Sequence, residues 1–88
     1  MDVKLSRLAL ADLTHIRAYI TQFNPAAAER MANRLLAATD RLANHPWIGR
    51  PGPADTRELS IVPPYVISYE VIDDEVVILR IWHSAQDR

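Results

Sequence analysis

No cysteine occurs anywhere in the chain, so disulfide staples and thiolate metal sites are both unavailable and a reducing, cytoplasmic setting is expected. Glycine is almost as scarce, with Gly49 and Gly52 the only two. Phosphate-cradling loops, dinucleotide fingerprints and nucleophile elbows need glycines at fixed offsets, so none can be hidden here and no cofactor is expected. Lysine is reduced to Lys4, leaving nine of the ten basic side chains as arginine, which favours planar, bidentate contacts over diffuse attraction. A net charge of −1 lacks the strong electrostatic term that a small nucleic-acid binder carries, so direct nucleic-acid binding is not expected. Apolar runs stay far below the roughly 18 to 20 residues that span a bilayer. "MDVKLSRLAL" also lacks the basic, apolar and cleavage regions of a signal peptide. A soluble, unprocessed chain without membrane contact is the expectation.

What remains reads as a single domain over residues 1–88, with a thin core, since a chain of this size buries only about 60 to 65% of its unfolded surface. Charge is divided unevenly: residues 1–44 hold six basic and four acidic side chains (+2), and residues 45–88 hold four and seven (−3). "DVKLS" alternates like a short strand, and Ser6 stands at a helix N-cap. Leu13, Ile16, Ile20 and Phe23 then recur at helical spacing, with Asp12, His15, Arg17 and Gln22 off that stripe. Asn24 and Pro25 supply a second cap and a first helical residue that needs no N–H. Ala28, Met31, Leu35, Ala38 and Leu42 form the next buried stripe, so an antiparallel helical hairpin is expected. Pro46, Gly49, Pro51, Gly52 and Pro53 impose a loop that Trp47 and Ile48 are expected to pin to the core. Three runs rich in β-branched and aromatic residues follow, "RELSIVP", "PYVISYEVI" and "EVVILRIW". The last two are separated by Asp73-Asp74, a tight turn with a left-handed residue. The fold class is therefore α+β: an N-terminal strand, a helical hairpin and a three-stranded antiparallel meander.

In the middle run Tyr65, Ile67, Tyr69 and Val71 share the face turned to the helices. The last run is apolar on both sides, with Val77, Leu79 and Ile81 on one and Val76, Ile78, Arg80 and Trp82 on the other. One helical hairpin covers one face of a sheet, so the face of Val76, Ile78 and Trp82 is expected to be covered by something else, either the N-terminal segment or a partner chain.

Chemistry-bearing residues are few. His15, His45 and His83 lie in three different elements. His15 reads as a polar-face residue and His45 as a helix-terminal one. His83 follows the most apolar strand and has three possible uses: general acid or base, recognition contact, or structural hydrogen bond. Arg57 and Arg80 can bind phosphate, or pair across strands with Glu58 and Glu70. Asp73, Asp74 and Glu75 read as a solvated hairpin turn, and no metal is expected. Trp47 reads as core and Trp82 as an interface anchor. The polar end "RIWHSAQDR" presents His83, Gln86, Asp87 and Arg88 beside Arg57, Tyr65 and Arg80, a set better equipped to recognise a surface than to run a reaction.

The order of strand, helical hairpin, "HPWIGRPG", "RELSIVPPYVISYEV" and "VVILRIWHSAQDR" resembles the RelE/ParE superfamily of type II toxins over nearly the full length. The resemblance implies a compact α/β toxin encoded with an antitoxin, whose disordered segment folds onto the toxin and masks it. It also implies a choice of target. RelE-like members cleave ribosome-bound mRNA with converging basic groups and a C-terminal Tyr or similar residue. This sequence departs from that pattern: Val66 follows Tyr65, residues 57–72 contain no Lys, and no Tyr follows residue 69. ParE-like members instead poison DNA gyrase by binding it, and the residues fit that branch better. Should the nuclease reading hold instead, His83 and Arg57 would carry the chemistry. An inactive antitoxin-binding remnant is a third reading.

Overall fold

The computed structural model describes residues 1–85. Strand β1 (Asp2–Leu5) leads to helices α1 (Arg7–Thr21) and α2 (Pro25–Arg41), then to the two-residue strand β2 (Arg50–Pro51) and a 3-10 turn over Pro53–Asp55. Strands β3 (Arg57–Val62), β4 (Tyr65–Ile72) and β5 (Glu75–His83) follow. The sheet order is β1-β5-β4-β3-β2, with β1 parallel to β5 and all other pairs antiparallel.

The helix signals act as the residues suggest. Ser6 Oγ accepts from Ala9 N at 3.0 Å and Asn24 Oδ1 from Ala27 N at 3.1 Å, each satisfying a first-turn amide. Pro25 opens α2. Leu35 and Leu42 are fully buried against Ile67, Tyr69, Val76 and Ile78 from the sheet. An ion pair between Arg17 and Glu29 ties the helices together. The β4–β5 turn uses Asp73 at φ 54°, the left-handed residue a two-residue hairpin needs.

Several expectations are corrected. Phe23 lies beyond the end of α1, is exposed, and packs edge-on against Tyr19 with ring centroids 5.4 Å apart. Trp47 is 61% exposed and Ile48 is also exposed, so neither pins the loop. Tyr69 does that instead: its buried hydroxyl donates to Pro46 O and accepts from Gly49 N, both at 2.8 Å.

The largest correction concerns β5. Ser68 pairs with Arg80 but Tyr69 pairs with Ile78, so Leu79 is an extra residue. Such a bulge reverses the inward–outward alternation beyond it. Val76 and Ile78 therefore share the helix-covered face with Ile81, at 0%, 0% and 3% exposure. Expected to be covered by the N-terminal segment or a partner chain, they are core. Trp82 pairs with Val66 on the other face and is only partly buried.

Candidate functional site

Strand β1 stops beside Ile78, so β5 from Leu79 onward keeps β4 on one side but has no described strand on the other. The first turns of α1 take over that edge. Ser6 N donates to Ile78 O and Ser6 Oγ to Leu79 O, both at 2.8 Å. Asp12 Oδ2 then accepts from Ile81 N at 2.9 Å. Arg80 folds over the same carboxylate, with Nε at 2.8 Å and Nη2 at 3.0 Å, a bidentate charge-assisted pair. Burial pushes the Asp12 carboxyl up, but the hydrogen bonds from Arg80 and Ile81 N–H, with the charges of Arg80 and His15, outweigh it and hold the group below the usual carboxylate range. Arg80 is correspondingly pushed up by its bond to Asp12.

This arrangement is one wall of an open cleft of about 600 Å³, lined by Asp12, His15, Ile16 and Tyr19 from α1 and by Tyr65, Arg80, Ile81, Trp82 and His83 from the sheet. Tyr65 lies under the ring of His83, edge-on at 5.6 Å, and burial raises its phenol above the ordinary value, with Tyr19 adding to the effect. His83 Nδ1 accepts from Ala85 N at 3.1 Å, so in the neutral ring the proton sits on Nε2. Chemically, the cleft offers aromatic faces, one imidazole of defined tautomer and one guanidinium already neutralised by a carboxylate.

The expected site residues divide between places. Tyr65, Arg80 and His83 come together, and Trp82 joins them at the rim. Arg57 does not: its Nη1 donates to Gly49 O at 2.7 Å and Trp47 O at 3.2 Å, and its guanidinium lies 5.0 Å from the centre of the Trp47 ring. It buttresses the loop after α2, and Trp47, expected in the core, is the platform under it. Neither Arg57 nor Arg80 takes the cross-strand partner expected of it. Arg50 approaches Glu58 to 3.6 Å, and Arg80 pairs with Asp12. Gln86, Asp87 and Arg88 lie outside the described residues. Asp12, His15 and Tyr19 were missed as site residues; their i, i+3, i+7 spacing on one side of α1 was the available signal. Among the described residues no group of three or more carboxylate or imidazole side chains could hold a metal ion, and no helix is long and apolar enough to cross a membrane.

Residues 3–88 match the family model described as ParE toxin of type II toxin-antitoxin system, parDE. The chain belongs to the ParE toxin family. It is similar to Toxin RelE2 of Caulobacter vibrioides, 59% identical over 78 residues covering 89% of each chain. Toxin RelE3 of the same organism is 37% identical over 99% of this chain and 98% of its own. Putative toxin Y4kP of Sinorhizobium fredii is 44% identical over 89% and 82%. A solved structure titled Chromosomal ParDE TA system from P. aeruginosa superposes with a TM-score of 0.85 at 26% identity, covering 94% of this chain and 95% of that one. The chain is thus a type II toxin of the ParE/RelE kind, and membership implies a cognate protein antitoxin. The family model and the solved structure carry ParE names, whereas two of these relatives carry RelE names.

Proposed function

We propose that this ParE-family toxin acts in the cytoplasm by binding and poisoning DNA gyrase, and that the cleft between α1 and the end of β5 is part of the contact surface. The observation that carries this reading is the Arg80–Asp12 pair. Cleaving RNA by attack of a 2′-hydroxyl requires stabilisation of a developing phosphorane and two proton transfers, so uncompensated cations must converge on one phosphate. Among the described residues, the guanidinium that lines the cleft with Tyr65 and His83 is neutralised at hydrogen-bonding distance. The other candidate, Arg57, is committed to two loop carbonyls. Aromatic side chains with a paired arginine at the rim suit recognition of a protein surface.

The ribosome-dependent nuclease reading retains one observation in its favour, the contact of Tyr65 with an imidazole of defined tautomer inside a cleft. Two assays on the purified chain separate the alternatives. Supercoiling by gyrase should be inhibited, or cleaved DNA trapped, while mRNA on programmed ribosomes stays intact. Codon-specific mRNA breaks with gyrase unaffected would reverse the assignment.

A further inference from the structure

With Val76 and Ile78 in the core, the surface that meets the antitoxin must be sought elsewhere. Helix α2 has a face that the candidate site does not use. Arg30, Arg34, Ala37 and Arg41 fall at i, i+4, i+7 and i+11, within a narrow sector of the helix wheel. All four are exposed, and no ion pair involves the three arginines among the described residues. Beside this stripe runs an open groove of about 230 Å³, lined by Arg34, Ala37, Ala38, Arg41, Ile61 and Val62. Its floor is made of small side chains and its far wall is apolar, and no carboxylate lines it among the described residues.

The wall has a structural origin. Leu59 pairs with Ile67 and Val62 with Tyr65, so Ser60 and Ile61 together oppose Val66 in a second bulge. Strand β2 pairs only with Arg57 and Glu58. Among the described residues the outer edge of β3 beyond Glu58 therefore has no strand neighbour, and Ile61 is left 43% exposed.

We propose that this groove seats an acidic segment of the antitoxin, one apolar side chain resting on Ala37 and Ala38 against Ile61 and flanking carboxylates meeting Arg34 and Arg41. Seven residues of helix separate those arginines by roughly 10 Å; carboxylates four apart on one face of an extended segment lie roughly 13 Å apart with one inward apolar side chain between them, a difference the long arginine stems take up. Arginine rather than lysine suits the role, because its fork grips a carboxylate with two parallel hydrogen bonds. An apolar wall favours a protein segment over a nucleic-acid backbone, whose phosphates would leave the exposed Ile61 uncovered. The inference rests on the family's antitoxin and is independent of the toxin's target.

The experiment compares the full chain with an Arg34→Glu/Arg41→Glu variant, each titrated with the purified protein encoded by the adjoining reading frame. Both positions are exposed, so the variant should melt within a few degrees of the parent. Affinity should fall about 100-fold or more, the loss should shrink as salt rises, and Arg7→Glu on α1 should bind like the parent. Amide exchange in the complex should slow at residues 59–62. Binding by the variant within twofold of the parent would overturn the proposal, as would protection that leaves residues 59–62 untouched. So would preferential seating of a labelled RNA or DNA duplex on the same arginines.

Discussion

Removing one oxygen atom, the hydroxyl of Tyr69, should measurably loosen the whole domain. Tyr69 is fully buried, and its hydroxyl both accepts from Gly49 N and donates to Pro46 O at 2.8 Å. Tyr69→Phe deletes both bonds and strands a buried amide, which costs about 1 to 3 kcal/mol, with roughly another 1 for the second bond. A chain of this size has only about 4 to 13 kcal/mol in hand. A loss near 2 kcal/mol would lower Tm by about 8 to 16 °C. Gly49→Ala attacks the same junction from the other side. Its φ is not positive, so the demand for glycine is one of space: an added Cβ would lie 2.6 Å from the Tyr69 hydroxyl and 2.7 Å from its Cε1. Because both changes break the same Gly49–Tyr69 bond, the double variant should be less destabilised than the sum of the singles, by about 1 kcal/mol. Urea unfolding of the four proteins gives the cycle. A Tyr69→Phe cost below about 0.5 kcal/mol, or strict additivity, would refute the claim that this hydroxyl, rather than Trp47 or Ile48, holds the loop.

Asp12→Asn keeps an acceptor for Ile81 N–H but loses the charge facing Arg80. The folded carboxyl lies below its unfolded value of about 3.9, so its contribution is complete above that value and disappears as pH falls through the depressed one. Near neutrality the variant should be about 1 kcal/mol less stable, a figure discounted because Arg80 is half exposed. The two urea midpoints should converge below about pH 4, and a constant gap down to pH 2.5 would contradict the assignment. His83→Gln preserves hydrogen bonding without titrating near neutrality; a contact role predicts growth arrest reduced only severalfold, whereas loss by orders of magnitude would point to proton transfer. Deleting residues 86–88 should leave the melting temperature and antitoxin affinity near those of the parent while toxicity falls, and full toxicity would move the contact surface away from the tail.

Local signals were legible and long-range ones were not. Ser6, Asn24 and Pro25 announce helix starts because a cap acts within four residues, and Met31, Leu35 and Leu42 share a stripe because helical period is a local property. The bulge at Leu79 left no such trace: inserting one residue into an unbroken apolar run changes no composition, yet it sets Val76 and Ile78 on the same face as Ile81, where unbroken alternation puts them on opposite faces. Asp12 meets Arg80 across 68 residues, and no spacing rule reaches that far. The parallel pairing of β1 with β5, and the two-residue β2, were also beyond reach, since neither leaves a periodicity. Arg57 misled for a related reason: its partners are the carbonyls of Trp47 and Gly49, and every residue has a carbonyl.

The position of β5 between β1 and β4 has a consequence for how the molecule comes into being. This interior strand follows every other described strand in the sequence, and β1 must wait for it: Ser6 Oγ finds its acceptor 73 residues later. Until residues 75–83 are available, β1 has no neighbour, and the core loses Val76, Ile78 and Ile81. Contacts that distant are slow to form, so assembly is delayed until residues 75–83 have emerged. A chain arrested at Asp74 should therefore be digested by protease at the rate of an unfolded peptide, and the activity that the antitoxin restrains would arise only once the final strand has been inserted.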